Sequence, residues 1–373
     1  QWRASHQPFH WLVDFYGIMQ RGGFDVIIGN PPYVSSKKVK TDYAVVSYET
    51  ANSPDIYAWI LERCCNLMTA NGRIGMIVPL SLGFSQEFTM LRNLIYREYS
   101  LTWFSSFGRI PSALFNHDVR VRNTIYIAKK SKSPDHKAFS TRLHRWYEEE
   151  RPYLLEGLEY AEFSLTVWNG RVPKIGSNDY IRALESAFAA APTSLLSLIH
   201  TSRTRYPLYY KPTAYNWLAF SFEPPPTFSG DGRPENPSQL DAIYFRNDTD
   251  RIFAFLYLNG KLAFNHWMAV GDDFHVTKGN FESLPIPWRT MPDEMFEDAS
   301  AITTELVDAM GGVVNFKLNA GKRIGSFNLA RCRHVTDRSD RLLAEALDLD
   351  TVWEAIELYY DYAVKTDFQE ELP

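Results

Sequence analysis

Cysteine is scarce in this chain. Cys64, Cys65 and Cys332 are the three in 373 residues, and their spacing suits neither a disulfide framework nor a metal site. This excludes a disulfide-stapled scaffold and fits a reducing, cytoplasmic setting. No apolar run approaches the ~18 residues of a membrane span, so no membrane role is expected. The nine histidines show no metal spacing. His6 and His10 are four apart but lack a third ligand and read as a surface pair; no metal is expected. Positive charge is not in excess either. The net charge is −5, so any nucleic-acid site must be a local patch. A glycine loop of the nucleotide-binding kind is also missing. Gly22-Gly23 and Gly311-Gly312 lack its spacing and its strand–loop–helix context. There is no internal repeat, no clustered acid pattern of a nuclease and no signal peptide. The chain begins with Gln1 rather than Met and reads as a fragment of a longer protein.

What is present is an ordinary globular balance. Hydrophobic residues make up 45% and charged residues 22%, enough over this length for two or three domains with real cores. Aromatics, at 15%, suit ring stacking or a packed core equally. The most informative stretch is Phe24-Asp25-Val26-Ile27-Ile28-Gly29 followed by Asn30-Pro31-Pro32-Tyr33. The first part reads as a buried strand and the second as the loop at its carboxyl end, where open α/β sheets place their chemistry. Two consecutive prolines remove two backbone donors and leave stiff carbonyl acceptors. The residue before each proline is held extended. Asn30 adds a side-chain acceptor and Tyr33 a flat aromatic face. Such a cluster suits a planar group bearing an NH2, such as adenine.

This stretch resembles motif IV of the amino-DNA methyltransferases that act on the exocyclic nitrogen of adenine. The resemblance implies that Asn30 and the carbonyl of Pro31 accept hydrogen bonds from the adenine amino group, with Pro32 holding the loop. It also implies that Tyr33 stacks on a base extruded from double-stranded DNA, because the target atom is out of reach inside the helix. Gly72-Arg73-Ile74-Gly75-Met76-Ile77-Val78-Pro79 resembles motif VI, and the segment from Leu114 to Ile125 resembles motif VIII. By position in motif VIII, Phe115 would face the other side of the base. The family's cofactor is S-adenosylmethionine, held by a Phe-x-Gly-x-Gly loop that is not found here. An upstream segment or a separate subunit is therefore expected to supply that half.

The expected fold class is α/β: the second half of a doubly wound methyltransferase sheet. It runs strand–helix–strand–helix–strand–strand and closes with an antiparallel hairpin. Ser53 reads as the N-cap of its first helix, Pro54 as the first helical residue and Asn71-Gly72 as its C-cap. The polar stretch from Ser35 to Asn52 reads as a mobile loop over the site. Residues 1–130 would form this partial catalytic domain, 131–165 a linker, 166–290 an α+β target-recognition domain and 291–373 a helical region. The recognition domain is expected to carry short strands at Ala242–Phe245 and Phe274–Thr277, with a helix from Asp250 to Trp267 between them. From Arg109 to Arg145 there are nine Lys/Arg and two acids, and Arg203 to Lys211 interleaves cations with rings and has no acid. Arg120, Arg122, Arg203, Arg205 and Lys211 are the candidate DNA contacts. Lys317 to Arg341, with seven Lys/Arg and two acids, reads as a solvated loop or a clamp. The alternative is a non-catalytic DNA-recognition subunit that needs a partner for cofactor binding; a third reading attaches a nuclease or helicase upstream.

Overall fold

A computed structural model of the chain describes residues 9–39, 45–115, 121–131, 136–189, 191, 193–214, 217–237, 239–272, 274–286 and 292–368. It divides into two compact units, residues 1–181 and 182–373.

The first unit is built on a six-stranded mixed sheet. Its strands are β1 (Phe24–Gly29), β2 (Met68–Pro79), β3 (Leu101–Phe107), β4 (Asn123–Lys129), β5 (Lys137–His144) and β6 (Ala161–Phe163), in the order β1-β2-β4-β3-β5-β6. β1 runs parallel to β2 through the helix Tyr57–Asn66, and β4 inserts antiparallel between β2 and β3. The expected order is present as far as the antiparallel pair β3–β4, but that pair does not close the sheet, because β5 pairs parallel to β3 and β6 follows it. The core is aromatic: Tyr57 stacks on Phe88 at 5.0 Å and Phe104 on Tyr126 at 5.4 Å, all with 2% exposure or less. Each such side chain contributes about 1.5–3 kcal/mol by leaving water.

Several local expectations are corrected. The first helix starts at Tyr57, with Ile56 at its N-cap. Ser53 is buried and does not cap, because residues 54–56 are captured by the loop after β1. Ser36 donates to the Pro54 carbonyl at 2.6 Å and Ile56 to that of Val34 at 3.0 Å. Asn71-Gly72 lies inside β2 rather than at a helix end. Gly72 is there for space, since a Cβ would collide with the Met68 side chain. Residues 131–165 are not a linker, for they carry β5 and β6. β5 reads as polar because its buried hydroxyls find partners. Ser140 Oγ donates to the Ile175 carbonyl at 3.0 Å, and Thr141 Oγ1 accepts from Ser106 N at 3.1 Å. Residues 166–181 also belong to this unit, joined to it by Val172 N to Gly83 O at 2.8 Å.

The second unit combines two four-stranded sheets with a helical core. One sheet, all antiparallel, is Phe220–Ser221, Pro207–Tyr210, Asp241–Phe245 and Ile199–His200. The other is Pro234–Glu235, Thr227–Phe228, Lys322–Phe327 and Val314–Asn319. The last two strands form a hairpin within the region expected to be helical. Its pairing with Thr227–Phe228 binds residues 182–290 and 291–373 into one unit. Phe274–Thr277 contributes only the bridge of His275 to Thr213. The expected helix is two, Asp248–Leu258 and Lys261–Val270, broken at Gly260, where a Cβ would meet Asp340 Oδ1 at 2.5 Å.

Candidate functional site

The loop Asn30–Val34 leaves the carboxyl end of β1 beside the carboxyl half of β2, where Gly29 pairs with Met76. The prolines and the tether at Ser35 and Asp55 fix its path. Asn30 is exposed, Pro31 buried, Pro32 exposed and Tyr33 half-buried. The Asn30 side chain is thus available to an incoming group. Tyr33 is anchored at its hydroxyl, which donates to the Ile77 carbonyl at 2.9 Å and accepts from Asn123 Nδ2 at 3.1 Å. Burial pushes the Tyr33 phenol up to about 12 against the pull of Asn123, so it stays protonated and keeps donating.

Asn123 is a site residue that sequence reasoning missed. In the sequence it lies within the Leu114–Ile125 stretch that resembles motif VIII, with nothing to single it out. It is fully buried opposite Pro79, its Nδ2 reaches Tyr33 and its Oδ1 has no partner among the described residues. Phe115 lies within reach of Tyr33: their ring centroids are 6.5 Å apart with planes inclined by 65°. The rings meet edge to face, so a parallel sandwich around a base needs one of them to turn. Arg151 holds the backbone leading to Phe115, donating to the carbonyls of Ala113 and Leu114 at 3.1 Å each. Glu148 braces Arg151 at 2.6 Å. These braces come from the supposed linker.

The loop expected to be mobile is anchored on its far side. Glu62 accepts from the amides of Glu49 (3.1 Å) and Thr50 (2.9 Å) and from Thr50 Oγ1 (2.7 Å). Thr50 is fully buried.

The candidate DNA contacts fall in both units. Arg120 lies outside the described residues. Arg122 is half-buried, and its carbonyl accepts from Leu80 N at 2.9 Å. Arg203 and Arg205 are exposed, with the Arg205 guanidinium 4.9 Å from the Tyr206 ring. Lys211 is half-buried at the other end of the strand Pro207–Tyr210. Part of the basic stretch in the first unit serves structure: Lys130 donates to the Cys65 carbonyl at 2.8 Å.

Among the described residues, no glycine loop of the kind that holds S-adenosylmethionine is present. Gly22 and Gly23, at φ 103° and 115°, form the turn before β1; a Cβ on Gly23 would collide with the Leu67 carbonyl oxygen, which accounts for that glycine by packing. β1 is an edge strand, and its apolar side chains stand in the open, Val26 at 62% and Ile28 at 84% exposure. Among the described residues, no group of three His, Cys, Asp or Glu is arranged to hold a metal, and no helix is long and apolar enough to cross a membrane.

Over 95 residues the chain is 33% identical to the putative type II restriction enzyme and methyltransferase RM.MjaORFECS2P of Methanocaldococcus jannaschii, covering 26% of this chain and 8% of that protein. Over 139 residues it is 28% identical to the type II methyltransferase M.XhoI of Xanthomonas vasicola, covering 36% of this chain and 25% of that one. The matches therefore span a quarter or less of these relatives' length. The solved structure of the type IIL restriction-modification enzyme MmeI in complex with DNA superposes with a TM-score of 0.53 at 10% identity, over 96% of this chain and 58% of that one, a likeness of fold. A family model described as Eco57I restriction-modification methylase matches residues 1–111, within the first unit.

Proposed function

We propose that this chain is the base-binding and DNA-recognition part of an adenine-specific DNA methyltransferase of a restriction-modification or phage-defence system. The observation that carries the reading is the loop Asn30–Tyr33: an exposed amide, unengaged among the described residues, beside a proline-stiffened backbone and an anchored ring. The amino nitrogen of neutral adenine is a poor nucleophile because its lone pair is delocalised into the ring. Acceptors at Asn30 and the Pro31 carbonyl hydrogen-bond its two protons and favour the pyramidal geometry that exposes the lone pair. Their worth lies in orientation and in dipoles already in place. Tyr33 and Phe115 hold the extruded base, each ring contributing about 1–3 kcal/mol by stacking. Arg120, Arg122, Arg203, Arg205 and Lys211 supply phosphate and base contacts on double-stranded DNA.

S-adenosylmethionine would supply the methyl group from a cradle outside the described residues, and the edge of β1, unpaired among the described residues, is where such a segment would add. An unpaired strand edge is a template for another strand. Capture of that segment would cover Val26 and Ile28. The same open edge favours a second reading, a recognition subunit whose cofactor half sits on another chain. Salt-dependent DNA binding without S-adenosylmethionine binding would support it. The test of the main reading is Asn30→Ala in the complete protein. Methylation falls on the order of 100–1,000-fold while DNA affinity is kept; wild-type yield of N6-methyladenine would sink the mechanism.

A further inference from the structure

The second unit contains a cleft of about 660 Å³ between the strand end Tyr209–Lys211, residues 213–214 and 217–221, and one face of the hairpin Val314–Phe327. Two lysines, Lys211 and Lys317, line it together with the amides of Asn315 and Asn319, and no aspartate or glutamate does. Neither lysine has an ion-pair partner among the described residues. Burial, and then repulsion from Lys317, draws the Lys211 ammonium below the usual lysine range. Two like charges facing an acid-free hollow are unfavourable until an anion arrives. Other cations of this region are already engaged: Lys322 with Glu235 at 2.6 Å, Arg338 with Glu305 at 2.6 Å, and Arg323 over the Phe316 ring at 4.8 Å.

Asn315, Lys317 and Asn319 alternate along one strand and so share a face. Residues two apart on a strand are about 6.8 Å apart, so this row runs for about 13–14 Å. That is longer than a lone phosphate ion and suits a strand of repeating phosphates. Tyr209 and Trp217 add ring faces to the same cleft.

We infer that this cleft is a phosphate-binding site that takes the backbone of the DNA duplex, with Lys211 and Lys317 neutralising phosphate and Asn315 and Asn319 donating to its oxygens. The inference rests on the proposed DNA-binding function and names a part of its interface.

The experiment uses the whole chain and a fluorescein-labelled duplex of mixed sequence, with anisotropy read between about 50 and 200 mM salt. Each phosphate that the protein no longer neutralises makes the slope of log K against log salt shallower by about 0.9. Lys211→Met with Lys317→Met is expected to make the slope shallower by about 1–2, and the charge-preserving pair Lys211→Arg with Lys317→Arg to restore it. A wild-type slope in the methionine pair, with duplex binding intact, overturns the cleft and leaves the DNA reading standing. Absence of duplex binding by the unaltered chain overturns both. Free dAMP and inorganic phosphate serve as competitors, with Trp217 fluorescence as the probe. Binding of either at micromolar concentration, with no effect of the methionine pair on duplex binding, would make this a small-anion site instead.

Discussion

At the residue scale, three side chains decide the candidate site. Asn30 is exposed and unengaged among the described residues, Tyr33 is tied by its hydroxyl to the Ile77 carbonyl of β2, and Asn123 supplies the second tie from β4. Asn123→Leu is expected to remove one of the two hydrogen bonds on the Tyr33 hydroxyl, leaving only the bond to the Ile77 carbonyl, and so to weaken base capture while leaving the fold in place. Phe115→Ala should weaken capture too, since Phe115 is the ring within reach of Tyr33. Both are checked by 2-aminopurine fluorescence at the target position; an unchanged response in either variant contradicts the assigned role. His144 offers a prediction about acid. Burial, and then Arg142, lowers its imidazole to about 4, so the folded state holds it neutral. The unfolded chain takes up a proton near pH 6.5 and the folded one near 4, so stability is lost as pH falls through that window. His144→Gln should flatten that part of the stability curve, measured by urea unfolding at several pH values; an unchanged slope would refute it.

At the element scale, the strand–loop pair β1 and Asn30–Tyr33 was legible in sequence because an apolar run ends abruptly at two prolines. β2, β3 and β4 were legible for the same reason of apolar periodicity. The strand β5 was not, because its interior positions include Ser140 and Thr141, whose hydroxyls are satisfied by partners distant in sequence. The hairpin Val314–Phe327 hid behind lysines and asparagines, and its turn is Ala320-Gly321, both at positive φ (48° and 77°), rather than the usual Asn-Gly. Helix starts were misjudged where a loop competes for the capping segment, as at Ser53. Arg92 shows a similar long-range dependence. Its buried guanidinium donates to the carbonyls of Leu82, Ser85 and Gly170 at 2.8–3.0 Å and joins the turn before residue 171 to the sheet domain. Arg92→Leu leaves those carbonyls without a donor and should destabilise the first unit by about 2–4 kcal/mol, read by chemical denaturation; a change under about 0.5 kcal/mol would contradict this role.

At the scale of the whole molecule, the chain divides into two compact units. The second depends on a buried cation. Lys261 Nζ lies 2.7 Å from Asp337 and 3.2 Å from Asp340, and its backbone amide donates to Asp340 at 3.1 Å. Burial pulls the Lys261 ammonium down, but the two carboxylates more than offset this and hold it above the usual lysine range. Lys261→Met strands Asp340 and should cost the second unit about 3–5 kcal/mol, with the first unit's unfolding unchanged. A single joint transition shifted for both units would contradict their independence. The first unit carries the methylase match and the Asn30 loop; the second carries the cleft and the exposed Arg203 and Arg205. The central claim joins them as catalyst and reader of DNA. Its most direct test is Asn30→Ala introduced at the gene's own locus, followed by single-molecule sequencing of the host genome for modified bases. The account predicts that N6-methyladenine disappears from one sequence motif and nothing else changes. Loss of a methylated cytosine instead, or an unaltered methylome beside an active wild type, would contradict it.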